Sequence, residues 1–388
     1  MLQTSYAIGA LLYTEGDEDE DSSLSVHIPA YREDVVIVKR TVENVKNVLN
    51  PKEIIVVTDP YSFKIYKNEL KGVKLFTGAE KGKAHALNVA LEHTEAEKVL
   101  VLDADSFPDK GFKIGKGKYL ATPWKGYSAG TRWSEAIANL TTLASILLTK
   151  GRKALGLTVL APGSGVAADA ELLKEMRWDE SVKTEDLELG IRMHNLGIRA
   201  NLNKGYVLVE APPGYFELKR QQRRWTYGAI QVLKRVKIKR LRDLELFFYL
   251  TQYSYTWLPL LALLTSPLGL SPLSLLLYYG SVTLQGVLTA LVQRKYKVRM
   301  SLADASRSSA AGLAMSLSLL EASIRGLMGL PLKWKVTPKG GKREGGKLRE
   351  EYLLLFTPIF SIINPISLPL SLQYLASSLY LIKEIRRD

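Results

Sequence analysis

The apolar positions of the first third of the chain fall into short unbroken runs separated by stretches of helical period. LSVHIPAY, at the start of 24–60, is a strand ending at Pro29. EDVVIVKRTVENVKNVL then spaces its apolar residues for a helix, and KEIIVVTDP is a second strand closed by Asp59 and Pro60. The same order recurs through GVKLFTG and the helix GKAHALNVALEHT to the strand EKVLVLDAD. Strands alternating with helices predict a parallel, wound α/β sheet. The run Val99–Leu102 is apolar at every position, as in a strand buried on both faces. It ends in Asp103 and Asp105, at the sheet edge where open α/β sheets bind ligands. The loops Pro29–Glu33, Thr58–Asp59 and Asp103–Ser106 are expected to share one site.

The pattern changes near residue 244. LELFFYLTQYSYTWLPLLALL (span 244–265) and SPLSLLLYYGSVTLQGVLTALVQ (span 272–293) are candidate membrane spans. The loop TSPLGLSP between them is uncharged, and the basic RKYKVR follows the second, so the uncharged loop is expected outside and the basic one in the cytoplasm. Residues 302–330 are apolar but carry Asp304, Arg307, Glu321 and Arg325, which favours a helix lying in the interface with Glu321 and Arg325 paired at i, i+4. The apolar stretch at 351–383 breaks near Asn364-Pro365. Two short spans, 351–364 and 366–383, return the basic tail to the cytoplasm, whereas one span would not. The expected organisation is an acidic, flexible segment 1–23, a cytoplasmic catalytic domain 24–218, a basic interfacial helix 219–243, and a transmembrane region 244–388 of about four spans. The chain is expected to be a multi-pass cell-membrane protein.

Charge sharpens this picture. The 388 residues carry a formal net charge of +14, and ten Lys and Arg lie between Lys219 and Arg242, just before the most apolar third. Basic residues beside apolar spans mark a cytoplasmic membrane edge. They form no separate basic face, which argues against nucleic acid. With no cysteine, disulfides, thiolate nucleophiles and Cys-based zinc sites are excluded; four scattered histidines make a His-rich metal site a poor reading.

Four segments carry candidate chemistry. Asp103-Ala104-Asp105 is either a turn cap or a pair of hard oxygen ligands for Mg2+ or Mn2+, which in turn hold phosphates. Thr184-Glu185-Asp186 opens a helix, where acidic residues also suit the dipole. In QQRRWTYGA, Arg223, Arg224 and Trp225 fit either a diphosphate with a stacked ring or a basic juxtamembrane helix with an interfacial Trp. In KWKVTPKGGK (333–342), Thr337 and Lys339 suit phosphate on a flexible tether, or the loop is simply basic and cytoplasmic.

In order and spacing these segments resemble the membrane-bound family 2 glycosyltransferases, the group of the cellulose and hyaluronan synthases. That pattern is an early Asp, a DxD, a TED, a QxxRW and, in cellulose synthases, an FxVTxK gating loop. Here it is similar to Asp59, Asp103-Ala104-Asp105, Thr184-Glu185-Asp186, Gln221 to Trp225, and Trp334 to Lys339. GKAHALN resembles the family's GKAxxLN. Trp334 replaces the usual Phe, VVTDP replaces an Asp-Asp or Asp-Gly turn, and the family's N-terminal transmembrane helices are expected to be missing. The resemblance implies a GT-A fold, a Rossmann-like mixed sheet with flanking helices, followed by transmembrane and interfacial helices. It also implies a divalent metal on Asp105 with Asp103 near it, and Asp186 as the base, with Glu185 beside it. Tyr31, Glu33, Asp59, Lys83, Asp103, Gln221, Arg224, Thr337 and Lys339 would hold the nucleotide sugar, a UDP-sugar ahead of a GDP-sugar. Trp225 and Ser164 would face the acceptor.

Two enzymatic readings follow. One is processive extension of a polysaccharide with translocation; four spans make a poor lone channel, so it calls for a homo-oligomer. The other is transfer of one sugar to a lipid carrier or glycolipid. A non-catalytic membrane scaffold is the reading of another class, and carboxylates at all the motif positions argue against it.

Overall fold

The computed structural model describes residues 2–16, 19–332 and 340–387. Thr337 and Lys339, with the rest of 333–339, lie outside the described residues. The α/β unit is built on a seven-stranded sheet of strands β1 (Leu24–Ala30), β2 (Glu53–Thr58), β3 (Lys74–Thr77), β4 (Lys98–Val101), β6 (Tyr119–Ala121), β8 (Ala167–Asp169) and β9 (Asn201–Leu202). A second, three-stranded sheet pairs β5 (Phe107–Pro108), β7 (Trp124–Tyr127) and β10 (Val207–Glu210). The large sheet runs β3-β2-β1-β4-β8-β6-β9. It is parallel from β3 to β4, while β8 runs antiparallel to both β4 and β6. The sheet is therefore mixed rather than wholly parallel.

The unbroken apolar runs follow from this layering. Successive residues of a strand face opposite ways. Leu100 and Leu102 pack with Val26, Ile28, Val38, Val42 and Val45 on one face, and Val99 and Val101 with Leu87, Leu91, Leu189 and Met193 on the other. Helix Val35–Leu49 covers the first face. Asp34 caps its start, its carboxylate accepting from the Val36 N–H at 3.0 Å, and Asn50 in the left-handed region ends it.

The N-terminal segment corrects the expectation of a flexible tail. Residues Leu2–Leu12 form a helix that packs on the turn Leu147–Gly151 and on the long helix Pro272–Tyr296. A Cβ on Gly9 would come within 2.2 Å of the Gly151 carbonyl oxygen, so the two backbones approach as only glycine allows. Arg152, fully buried, donates to Tyr6 Oη at 2.7 Å and pairs with Glu245. Lys150 Nζ sits 5.1–5.5 Å from the ring centres of Tyr13, Tyr206 and Tyr296. These partners are scattered along the sequence, and none of the pairings follows from local pattern.

The C-terminal helices also differ from expectation. The basic stretch 219–243 is not one interfacial helix. Tyr215–Leu233 is a helix that starts inside the α/β unit, and after it the chain turns through Leu241–Asp243. Residues 302–330 form two helices, Leu302–Ala314 and Ser316–Met328, broken at Met315. Their charges are paired internally: Arg325 donates to Glu321 at 2.8 Å as expected, Arg223 joins Glu321, and Arg307 reaches Asp304 and Glu384. Segment 244–265 is two helices, Leu244–Leu250 and Ser254–Leu264; 351–364 is made of short helical turns, and Leu368–Arg387 is a 20-residue helix. Among the described residues, one helix, Pro272–Tyr296, is long and apolar enough to cross a membrane.

Candidate active site

The Asp103–Asp105 turn lies just past the carboxyl end of β4, and its backbone is held at four points. The Asp103 N–H donates to Ser164 Oγ at 3.1 Å, and the Ser106 N–H to the Asp103 carbonyl at 2.9 Å. Thr41 Oγ1 donates to the Ala104 carbonyl at 2.7 Å, and Tyr127 Oη to the Asp105 carbonyl at 2.9 Å. The side chains of Asp103 and Asp105 are thus aimed by anchors from three other elements, with Asp105 3% exposed.

Lys83 opens the helix Lys83–Glu92 and bridges two motifs. Its ammonium lies 2.7 Å from Asp103 Oδ1 and 3.3 Å from Glu185 Oε1. Burial would lower its pKa, but Asp103, Glu185 and Asp186 around it raise it and keep it charged. Asn88, a turn further on, accepts from the Trp178 N–H at 2.9 Å and donates to the Trp178 carbonyl at 3.0 Å, fixing the segment that leads into TED. The GKAHALN run therefore ties the DxD to the TED.

Glu185 and Asp186 start the helix Glu185–Asn195. Burial, then the Glu185 carboxylate, push the Asp186 pKa up to about 6, against the pull of Lys83 and Arg224. Such a carboxylate is ionised at neutral pH yet basic enough to take a proton. The QxxRW helix reaches this pair because position 228 is glycine: a Cβ there would lie 2.3 Å from Thr184 Cγ2.

These parts line one cavity of about 260 Å³. Of the residues singled out in the sequence, it gathers Tyr31, Glu33, Lys83, Asp103, Asp105, Ser164, Glu185, Asp186, Gln221, Arg224 and Trp225. Asp59 is not on its wall. Its carboxylate caps the helix Pro60–Glu69, accepting from the Tyr61 and Ser62 N–H groups, and accepts from the Arg32 N–H at 3.0 Å. Burial acts to raise its pKa, and these hydrogen bonds outweigh it. Ser164, expected to face the acceptor, is fully buried and also braces Asp103 from below.

Three residues escaped the sequence reading. Glu210 ends β10 and accepts from the Gly341 N–H at 3.0 Å, so the residue two past Lys339 is held at the cavity wall. Its signal was a strand, VLVE, closed by Pro-Pro. Trp124 stands with its ring centre 6.2 Å from that of Trp225, and Thr141 lies beside them on the wall. No motif marks either of these.

The sequence model described as Glycosyl transferase family group 2 matches residues 98–292, half of the chain. The chain belongs to this family. The model described as Glycosyl transferase family 2 matches residues 25–133. A probable glycosyltransferase of Sulfolobus acidocaldarius is 26% identical over 367 residues, covering 84% of this chain and 79% of that protein. The probable glycosyltransferase YdaM of Bacillus subtilis is 26% identical over 268 residues, covering 59% of this chain and 62% of that protein. Among solved structures, the mannosyltransferase PcManGT of Pyrobaculum calidifontis, in complex with GDP-Man and Mn2+, aligns with a TM-score of 0.50 at 18% identity, over 84% of this chain and 97% of that one. That likeness shows the fold, of GT-A type. As a member of the family, the chain is a nucleotide-sugar glycosyltransferase.

Proposed function

We propose that the chain transfers one glycosyl group at a time, with inversion, from a nucleotide-diphosphate sugar to an acceptor hydroxyl at the cytoplasmic face of a membrane. The observation that carries this reading is the convergence of Asp103, Asp105, Asp186, Arg224 and Trp225 on one cavity at the end of β4.

The donor set suits a hard divalent ion, since Asp103 and Asp105 offer carboxylate oxygens and no His is among the described residues that line the cavity. Among the described residues, no cluster of three or more His, Asp or Glu is arranged to hold a metal. Asp103 and Asp105 would hold such a cation from the protein side. When bound, Mg2+ or Mn2+ supplies positive charge to the departing diphosphate. Arg224 adds to that charge. Lys83 holds Asp103 and Glu185 in place, and Asp186 accepts the proton of the attacking hydroxyl. A single base and direct displacement at the anomeric carbon invert it. Tyr31 and Glu33, on the cavity wall, would hold the nucleoside.

A UDP-sugar remains the first donor to try, and PcManGT, crystallised with GDP-Man and Mn2+, makes a GDP-sugar the second. The membrane reading is supported by helix Pro272–Tyr296 and by exposed Leu258, Leu261, Leu276, Leu277, Ile362 and Ile363 on the C-terminal helices. Polysaccharide extension has one observation in its favour, the Trp124–Trp225 pair, which suits the flat face of a sugar ring. The experiment is donor turnover by purified protein with UDP- and GDP-sugars. The expected outcome is nucleoside diphosphate release that needs Mg2+ or Mn2+ and stops in excess EDTA. Full release in EDTA refutes the metal-assisted part, and no release with any donor refutes the transfer.

A further inference from the structure

A second cavity of about 410 Å³ adjoins the first and shares Trp124, Thr141, Thr184, Asp186, Gln221 and Trp225 with it. Its size falls in the usual range for ligand sites. Away from the shared wall its character is different. It runs between the helix Arg132–Ile146, the QxxRW helix and the C-terminal helices, past Ile137, Leu140, Leu218, Leu250, Met315 and Leu319. Among the described residues, Asp186 is the one on its wall with a formal charge. Lys83 and Arg224 stand on the wall of the donor cavity and not on this one. The helices that close it, Ser254–Leu264 and Ser316–Met328, present exposed Leu258, Leu261, Ile324 and Leu327 on their other faces.

Resting on the transfer reading above, we propose that the acceptor is a neutral lipid alcohol, with its apolar chain in this cavity and its hydroxyl at Asp186. Three features exclude the other acceptors. A polysaccharide carries hydroxyl groups along its whole length, and although Gln222, Gln252, Tyr253 and Thr256 stand on this wall, most of its surface is apolar and leaves many of those hydroxyls without hydrogen bonds. A lipid phosphate is already ionised near neutral pH. It needs no base and is repelled by the Asp186 carboxylate; among the described residues no cation stands on this wall, and the nearby Lys83 is already paired with Asp103 and Glu185. A lipid alcohol instead needs the base that is present, and few polar partners. Two are available, for Thr184 Oγ1 and Ser308 Oγ are buried on this wall with no hydrogen-bond partner. In the reaction the alcohol oxygen bonds to the anomeric carbon, and the bond from that carbon to the diphosphate oxygen breaks. The electron pair leaves with the nucleoside diphosphate, and the hydroxyl proton passes to Asp186.

The test uses the full chain in neutral detergent with a radiolabelled nucleotide sugar and three acceptors: diacylglycerol, a polyprenyl phosphate and a soluble oligosaccharide. Label is expected in a neutral lipid product. Label in the lipid phosphate or in the oligosaccharide, and none in diacylglycerol, overturns the acceptor assignment while leaving glycosyl transfer standing. Failure to release nucleoside diphosphate with any acceptor overturns both. The variant Gly312→Phe places a ring in the cavity, since a Cβ at Gly312 meets no atom within 4 Å and the residue is helical. It is expected to raise the KM for the lipid at least tenfold, with the KM for the nucleotide sugar unmoved. An unchanged lipid KM in a folded Gly312→Phe protein counts against the cavity as the lipid's seat.

Discussion

Lys83→Met removes a cation that touches both the DxD and the TED, and its effect can be sized from the structure. A methyl group placed on Gly163 would lie 3.1 Å from Lys83 Nζ and 3.1 Å from Asp186 Oδ2, so the two charges are no more than about 6 Å apart. At that distance their attraction is about 0.7 kcal/mol in water and about 2.8 kcal/mol at the effective dielectric of a protein surface. These correspond to about half a unit and about two units of pKa. The Lys83 side chain is 29% exposed, so solvent screening holds the effect between those limits. The sign is fixed by the role: Asp186 works ionised, Lys83 favours the ionised form, and removing Lys83 raises the Asp186 pKa from about 6. Freed from its partner, the Glu185 carboxylate pushes the same way. The assay is the initial rate of transfer at saturating donor between pH 5 and 9. The acid limb of the variant should move upward by about half a unit to two units, so that the loss is much larger at pH 6.5 than at pH 8.5. Lys83→Arg should largely restore the wild-type limb. An active Lys83→Met protein with its acid limb unmoved would show that Asp186 is not the titrating base.

Two further outcomes test the parts around this pair. Gly228→Ala forces a methyl against Thr184 and should cost about 1–3 kcal/mol of stability by denaturant unfolding; Thr184→Ala in the same chain should recover most of it, and equal stability of Gly228→Ala and wild type would contradict the close approach. Replacing Thr337 and Lys339 together by Ala should lower turnover sharply with folding unchanged, because the residue that closes this segment, Gly341, is held on the cavity wall by Glu210; normal turnover in neutral detergent would make the segment a basic loop without a part in closure.

The sheet was readable because burial on both faces removes polar positions from the strand, and β1, β2 and β4 appear as the apolar runs that this predicts. The site was readable for a related reason. Asp103, Asp186, Arg224 and Trp225 each sit in a short local pattern, and the wound topology carries those patterns to one edge. Four kinds of feature were not readable. Glu210 and Trp124 come from the small second sheet, whose strands are too short to show a period. Asp59 stands in a plausible motif position, but its carboxylate is used by the backbone around it. The N-terminal helix is held by Arg152, Glu245 and three tyrosines around Lys150, and such long-range pairings leave no mark on hydropathy. The break at Met315, which turns one expected interfacial helix into two, has no Pro to announce it, and Gly312 three residues earlier lies within the first helix.

The central claim is that Asp186 takes the proton from the acceptor. The measurement that addresses it most directly is the transfer rate of Asp186→Asn, taken together with its affinity for nucleoside diphosphate and metal. The amide keeps the shape of the side chain but cannot accept the proton. The rate is expected to fall by a factor of about 100 or more, the range for a positioned base, with nucleoside diphosphate affinity close to wild type. Transfer at near wild-type rate by the Asn variant would contradict it.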